Sequence, residues 1–415
     1  MTADNRVTIA RPEDILGFIP HALGLWPRES LVAITLRGRT LGATLRVDLP
    51  TGSVPAGFTS RIREYLEADQ EADGVLLAVF SEDGWADGEV LEKHQPLLSD
   101  LELALALGGL ELRDAWLVGA QYWRSVFCTD EDCCPIPGRP VAQIHDSRLN
   151  AEMVFRGSSV GDAPQIDEPA RQASGGACHS EHKEVLRAED VALEAMLGQW
   201  RSRKNFEELL DVWTRVLASG LSEEFDTDSS AFLRASLRVP AWRDGVVVMA
   251  AAGKAVALGG AEAFGFFGGG SGRKRALEIP AGLRCLPNMK EAASSSGRED
   301  PVPEDLNLLR YGDVLLGLYP ELPDWAAMTA LDRVLSALAG QGGGEARASA
   351  LTLQGWIRWC QGSGSFAGQH FSQATAEQPG YRLAELLAEV VRRGTLCGWA
   401  KNRSSAWQRF EGTAA

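Results

Sequence analysis

Apolar residues change their spacing about midway along this chain. The first part alternates short β-rich runs with helical stripes, and the second is dominated by helical stripes. Residues 31–36 are apolar apart from Thr35. Arg37, Gly38, Arg39 and Thr40 then supply a turn, and 41–47 alternates apolar with small or polar side chains. The two runs predict a β-hairpin. Ahead of them, 12–19 predicts a short helix, since Pro12 suits a first turn and Glu13 and Asp14 suit the positive end of the helix dipole. Pro20 is expected to stop it. Phe58, Ile62, Tyr65 and Leu66 share one helical face. The unbroken apolar run at 75–80, opened by Asp73 and Gly74, predicts a strand buried on both faces. Leu97, Leu98, Leu101 and Leu105 mark a further helix with Pro96 near its start, and 115–127 a last strand or strand pair.

Residues 157–185 lack any apolar period and read as a linker. Beyond them come three amphipathic stripes: Phe206, Leu209, Leu210, Trp213, Val216 and Leu217; Trp325, Met328, Leu331, Val334, Leu335 and Leu338; and Leu383, Leu386, Leu387, Val390 and Val391. The run Val246, Val247, Val248 and Met249 is too short to separate a strand from a buried helix. The expected organisation is an α/β domain with a mixed sheet at 1–156, the linker at 157–185, and a mainly helical domain at 186–415. A disordered-looking insertion is expected near 288–304.

Composition narrows the function classes. Among 415 residues, 41 Lys and Arg stand against 56 Asp and Glu, a net charge of -15. That opposes non-specific nucleic-acid or anionic-membrane binding, both of which need a basic surface. No run approaches the roughly 20 apolar residues of a membrane span, and the N-terminal residues do not resemble a secretory signal. Seven cysteines, an odd number in a long chain, do not form a secreted disulfide framework, so a cytoplasmic protein with reduced thiols is expected.

Chemistry concentrates in residues 116–138, where an aromatic strand runs into an acidic loop bearing Cys128, Cys133 and Cys134. Zinc takes four tetrahedral sulfur or nitrogen ligands. The three cysteines with His145 would supply them, and Cys178, His179 and His182 could stand in for His145. Adjacent cysteines are awkward ligands for a single ion, so labile thiols and plain loop cysteines stay open beside zinc. The glycine-rich 259–275 lacks both phosphate-loop patterns, since Gly272 is followed by Arg273, Lys274 and Arg275. It reads as a surface loop. No nucleophile elbow and no His-Glu-x-x-His occurs. Ser30 with His21 is the one imaginable nucleophile and base, and Asp14, Arg46 and Asp48 lie at element ends. Most of the twelve tryptophans fall on helical stripes and read as core, whereas Trp26 and Trp85 fall in turns and are candidates for exposed contacts.

Four stretches carry a family resemblance: Pro-His-Ala-Leu-Gly-Leu-Trp-Pro-Arg-Glu-Ser-Leu-Val at 20–32, Arg-Val-Asp-Leu-Pro at 46–50, Cys-Thr-Asp-Glu-Asp-Cys-Cys-Pro at 128–135, and Trp-Ile-Arg-Trp at 356–359 followed by Pro-Gly-Tyr-Arg-Leu-Ala at 379–384. Together the chain resembles the actinobacterial family called domain of unknown function 4192. The resemblance implies a bacterial, cytosolic protein and brings no catalytic residues. Gly355, Ala367, Phe371, Ala374 and Pro379 also resemble one tetratricopeptide-type helical hairpin, with Leu351 and Arg358 departing from that pattern. No second copy follows at a shift of ~34 residues, so no repeat array is expected. The reading that results is a non-catalytic interaction or regulatory protein, its partner another protein bound through the C-terminal helices. The alternatives are an enzyme with a site at the interface of the two domains, or a protein with a zinc site in the Cys128 loop.

Overall fold

The computed structural model describes residues 9, 11–50, 52–158, 160–161, 179–219, 225–268, 276–286 and 304–408, without the side chains of 179–182 and 304–308. They fall into two compact units, one within 1–163 together with Gln408 and the other within 164–407. Of the insertion expected near 288–304, residues 288–303 lie outside the described residues, as do the basic Arg273, Lys274 and Arg275, and Glu304 begins a helix.

The first unit runs α1 (Pro12–Leu23), β1 (Ser30–Arg37), β2 (Thr40–Asp48), α2 (Phe58–Glu67), β3 (Gly74–Phe80), α3 (Val90–Leu107), β4 (Glu111–Val118), β5 (Tyr122–Ser125), β6 (Arg139–Pro140), α4 (Ala142–His145) and α5 (Arg148–Phe155). The six strands form one sheet in the order β2-β1-β3-β4-β5-β6. Only β3 and β4 are parallel, joined across α3; every other neighbouring pair is antiparallel. This is the α/β unit with a mixed sheet that the pattern predicts. All of β3 is buried because both faces are covered. Leu31, Ala33, Val75, Leu77 and Val79 meet Ile62 and Leu66 of α2 and Leu97, Leu101 and Leu105 of α3. The alternate residues Val32, Ile34, Leu76, Ala78 and Phe80 meet Leu16 and Ile19 of α1 and Ile144 of α4.

Two signals read differently in the fold. Pro20 does not stop α1: it lies inside the helix, where it lacks the amide that would bond back one turn. Its carbonyl still accepts from Gly24 N at 2.7 Å, and Gly24, with φ 82°, ends the helix in the left-handed conformation. Pro96 likewise sits inside α3, which starts at Val90.

The second unit contains α6 (His179–Leu197), α7 (Arg203–Ser219), α8 (Thr227–Leu237), α9 (Pro240–Ala252), α10 (Lys254–Ala263), α11 (Ala281–Arg284), α12 (Glu304–Leu315), α13 (Trp325–Gly340), α14 (Glu345–Cys360), α15 (Gly364–Glu377), α16 (Arg382–Arg392) and α17 (Gly398–Lys401). α6 therefore starts inside the stretch read as linker. The ambiguous valine run belongs to α9, buried nearly all round, which erases the one-sided pattern that would have marked a helix. Arg234 of α8 is fully buried. It donates to Glu189 of α6 at 2.7 Å and to the carbonyls of Leu338, Gly342 and Gly343 at 2.6, 3.1 and 2.8 Å, so three chain segments close on one guanidinium. α14 and α15 form the expected hairpin: Ala367, Phe371 and Ala374 are buried, and Gly355 lets the Phe371 ring approach its backbone.

Candidate functional site

The cysteine loop leaves the sheet after β5 and returns as β6, which pairs antiparallel with β5 through Tyr122 with Pro140 and Trp123 with Arg139. Both ends of the loop are thereby fixed to one sheet edge. Within it Asp132 N donates to Asp130 Oδ1 at 2.9 Å and Cys134 N to Asp130 O at 2.7 Å. These are the turn bonds that an aspartate offers to a following backbone. The turn gathers Cys128, Cys133 and Cys134 so that their sulfurs lie within 4.8 Å of one another. Cys134 is buried, Cys128 half-buried and Cys133 exposed.

The surroundings split the thiols. The Asp130 amide donates to Cys128 sulfur and, with help from Cys134, holds that thiol below its ordinary range. Burial pushes Cys134 up. Arg139 approaches Cys133, donating from Nη2 to Sγ at 3.4 Å and from Nε to the carbonyl at 2.5 Å. Its guanidinium is itself held by Glu13 Oε1 at 3.1 Å and by the Trp123 ring at 5.5 Å.

His145 stands apart from the three sulfurs. It ends α4, and its ring stacks on Trp26 at 4.5 Å between centroids. Among the described residues no imidazole or carboxylate completes the cluster. Cys178 and the side chains of His179 and His182 lie outside the described residues.

The other sequence candidates separate. Ser30 Oγ donates to Arg28 O at 2.5 Å and accepts from Arg46 Nε at 3.0 Å, while Arg46 also bridges Asp48 at 2.7 Å. His21 is 1 % exposed and bonds elsewhere, Nδ1 with Ser158 Oγ at 2.8 Å and Nε2 with Asn150 Oδ1 at 2.7 Å. Neither partner was legible, since no spacing links residue 21 to 150 or 158. With Ser158 only 7 % exposed, the set acts as a clasp of α5 and the following segment onto α1. Asp14 receives the Arg11 amide at 3.2 Å and so starts α1.

Trp26 and Trp85 are half-buried, not exposed contacts. Trp26 packs on His145 and Phe80; Trp85 donates to Ser81 O at 2.8 Å and lies over Gly119 and Gly138. The glycine-rich stretch is in part helix, and its Phe264 and Phe266 pack on Tyr311. A second thiol pair, Cys360 and Cys397, is buried in the helical unit, with burial pushing Cys360 up and the Cys360 contact holding Cys397 down.

The family described as domain of unknown function (DUF4192) matches residues 12–259 and 319–396. No curated protein and no solved structure matches. The match covers both units, and the chain belongs to that DUF4192 family.

Proposed function

We propose that this DUF4192 protein is a non-catalytic interaction or regulatory protein of the actinobacterial cytoplasm, and that its C-terminal helices hold another protein. One observation carries the reading. In the short segment between α12 and α13, Leu316, Leu318 and Leu322 are 57, 60 and 63 % exposed. Single exposed leucines are ordinary, and the reading rests on three of them falling within one short segment. Each leucine is worth roughly 1.5–3 kcal/mol when fully buried, so this segment alone could supply much of the driving force for a modest interface. On α16, Leu386 is 47 % exposed, whereas Leu387, Val390 and Val391 pack against the helical core. The net charge of -15 directs the reading toward proteins and away from nucleic acid.

The test compares the full chain with a Leu316→Ser, Leu318→Ser, Leu322→Ser variant. Light scattering reads self-association, and affinity capture from the native host with quantitative mass spectrometry reads other partners. The expected result is an associated protein that the variant loses while its circular dichroism and melting are unchanged; self-association in its place would overturn the reading. Equal behaviour of the two proteins in both assays would overturn the reading.

A further inference from the structure

Three sulfurs converge where the sequence offered four ligands. We propose that Cys128, Cys133 and Cys134 form a zinc site of three thiolates, its fourth position filled by water or an outside donor and not by His145.

The distances suit the ion. Zinc–sulfur bonds of about 2.3 Å in a tetrahedron place the sulfurs about 3.8 Å apart, and the three sulfurs already lie within 4.8 Å. Small side-chain rotations close the difference. Adjacent cysteines usually diverge, but here the turn that returns Cys134 N to Asp130 O brings both toward Cys128.

Each sulfur also has its own donor. The Asp130 amide serves Cys128, the Ser125 amide serves Cys134, and Arg139 serves Cys133. Metal-bound thiolates need such outer hydrogen bonds, which fix their orientation and spread their charge. Three thiolates and one zinc ion leave a net charge of about -1, and the Arg139 guanidinium lies beside it. Soft ligands of this kind select zinc over calcium or magnesium.

A disulfide uses two of the three sulfurs and explains neither the third nor its guanidinium. Among the described residues no fourth ligand joins the three sulfurs, and His145 stacks on Trp26 instead. An open corner is where a further donor, including one carried by a partner protein, would enter.

The experiment uses the full chain, reduced, stripped with a chelator, reloaded with Zn²⁺ alone and desalted. Elemental analysis is expected to find about one zinc per chain. Co²⁺ in its place is expected to give thiolate-to-metal charge transfer with a tetrahedral visible spectrum. Cys133→Ser changes an exposed residue and so spares the fold; it is expected to weaken zinc retention by at least about tenfold. Cys128→Ser is expected to do the same, with circular dichroism as the check on folding. His145→Ala and Cys285→Ser are expected to retain zinc. Failure of the reduced protein to take up zinc, or uptake unchanged in both loop variants, would overturn the site. Loss of zinc in His145→Ala would overturn the open corner. None of this depends on the leucine surface, whose variant is expected to bind zinc normally.

Discussion

Single side chains in this protein bear costs that burial makes large. Arg234 carries a full charge at zero exposure, with a carboxylate and three carbonyls around it. That arrangement is stable only because nearly every guanidinium N–H finds an acceptor. His370 of α15 is the opposite case. Its Nδ1 is buried with no hydrogen-bond partner among the described residues. Burial, together with the nearby Arg358 guanidinium and against the opposing Asp332, lowers its pKa from the ordinary 6.5 to about 4. The sign follows from which state takes the proton first. Unfolded, the imidazole is charged below about 6.5; folded, it is charged only below about 4. Between those values the unfolded chain holds the extra proton, so stability falls as the pH drops. At pH 5 the loss is about 2 kcal/mol relative to neutral pH. Urea unfolding at pH 7 and pH 5 measures it. His370→Gln is expected to remove that part of the pH dependence, and an unchanged dependence in the variant would assign it to other groups.

At the scale of elements, the contact of α14 with α15 turns on one missing methyl. A Cβ at Gly355 would lie 2.5 Å from the Phe371 ring, inside van der Waals contact. Gly355→Ala is expected to destabilise the chain by about 1–3 kcal/mol despite the better helix propensity of alanine. Phe371→Leu is expected to recover part of this in the double variant, a coupling that thermal or urea unfolding of the four proteins reads directly. The same contact shows why this hairpin was legible: small and aromatic residues recur at a fixed local spacing. β1 and β3 were legible for a related reason, since strands covered on both faces write continuous apolar runs. Local signals failed where neighbours decide the outcome. Pro20 reads as a stop, yet α1 continues to Leu23 and Gly24 ends it. α9 is buried nearly all round, which hides its period. At the candidate site, the spacing of Cys128, Cys133 and Cys134 identified the loop because a turn joins them. The spacing offered His145 as their companion, and spacing along the chain does not report that α4 turns its ring onto Trp26. The pairs of His21 with Asn150 and Ser158, and of Cys360 with Cys397, join residues remote in sequence and left no signal in it.

For the whole molecule, charge sets the behaviour that no single contact controls. The net charge of -15 opposes association between copies of the chain at neutral pH and repels polyanions. Neutralising it requires acidification, and the isoelectric point lies near 5.0. That value falls inside the interval over which His370 weakens the fold, so two separate effects coincide. Near pH 5 the protein is expected to scatter light more strongly and to aggregate at a lower temperature than at pH 7, because lost repulsion and lost stability act together. His370→Gln separates them. Net charge hardly changes, so the variant is expected to keep the scattering maximum near pH 5 in the cold, where the fold is intact. Its unfolding midpoint is expected to shift less between pH 7 and pH 5 than that of the parent chain. Leu316→Ser, Leu318→Ser, Leu322→Ser acts on the other side of the balance: if the exposed leucines drive association once repulsion is gone, the triple variant lowers cold scattering at pH 5 without moving the midpoint. Scattering at pH 5 that is equal in parent and triple variant would place the association on another surface of the chain.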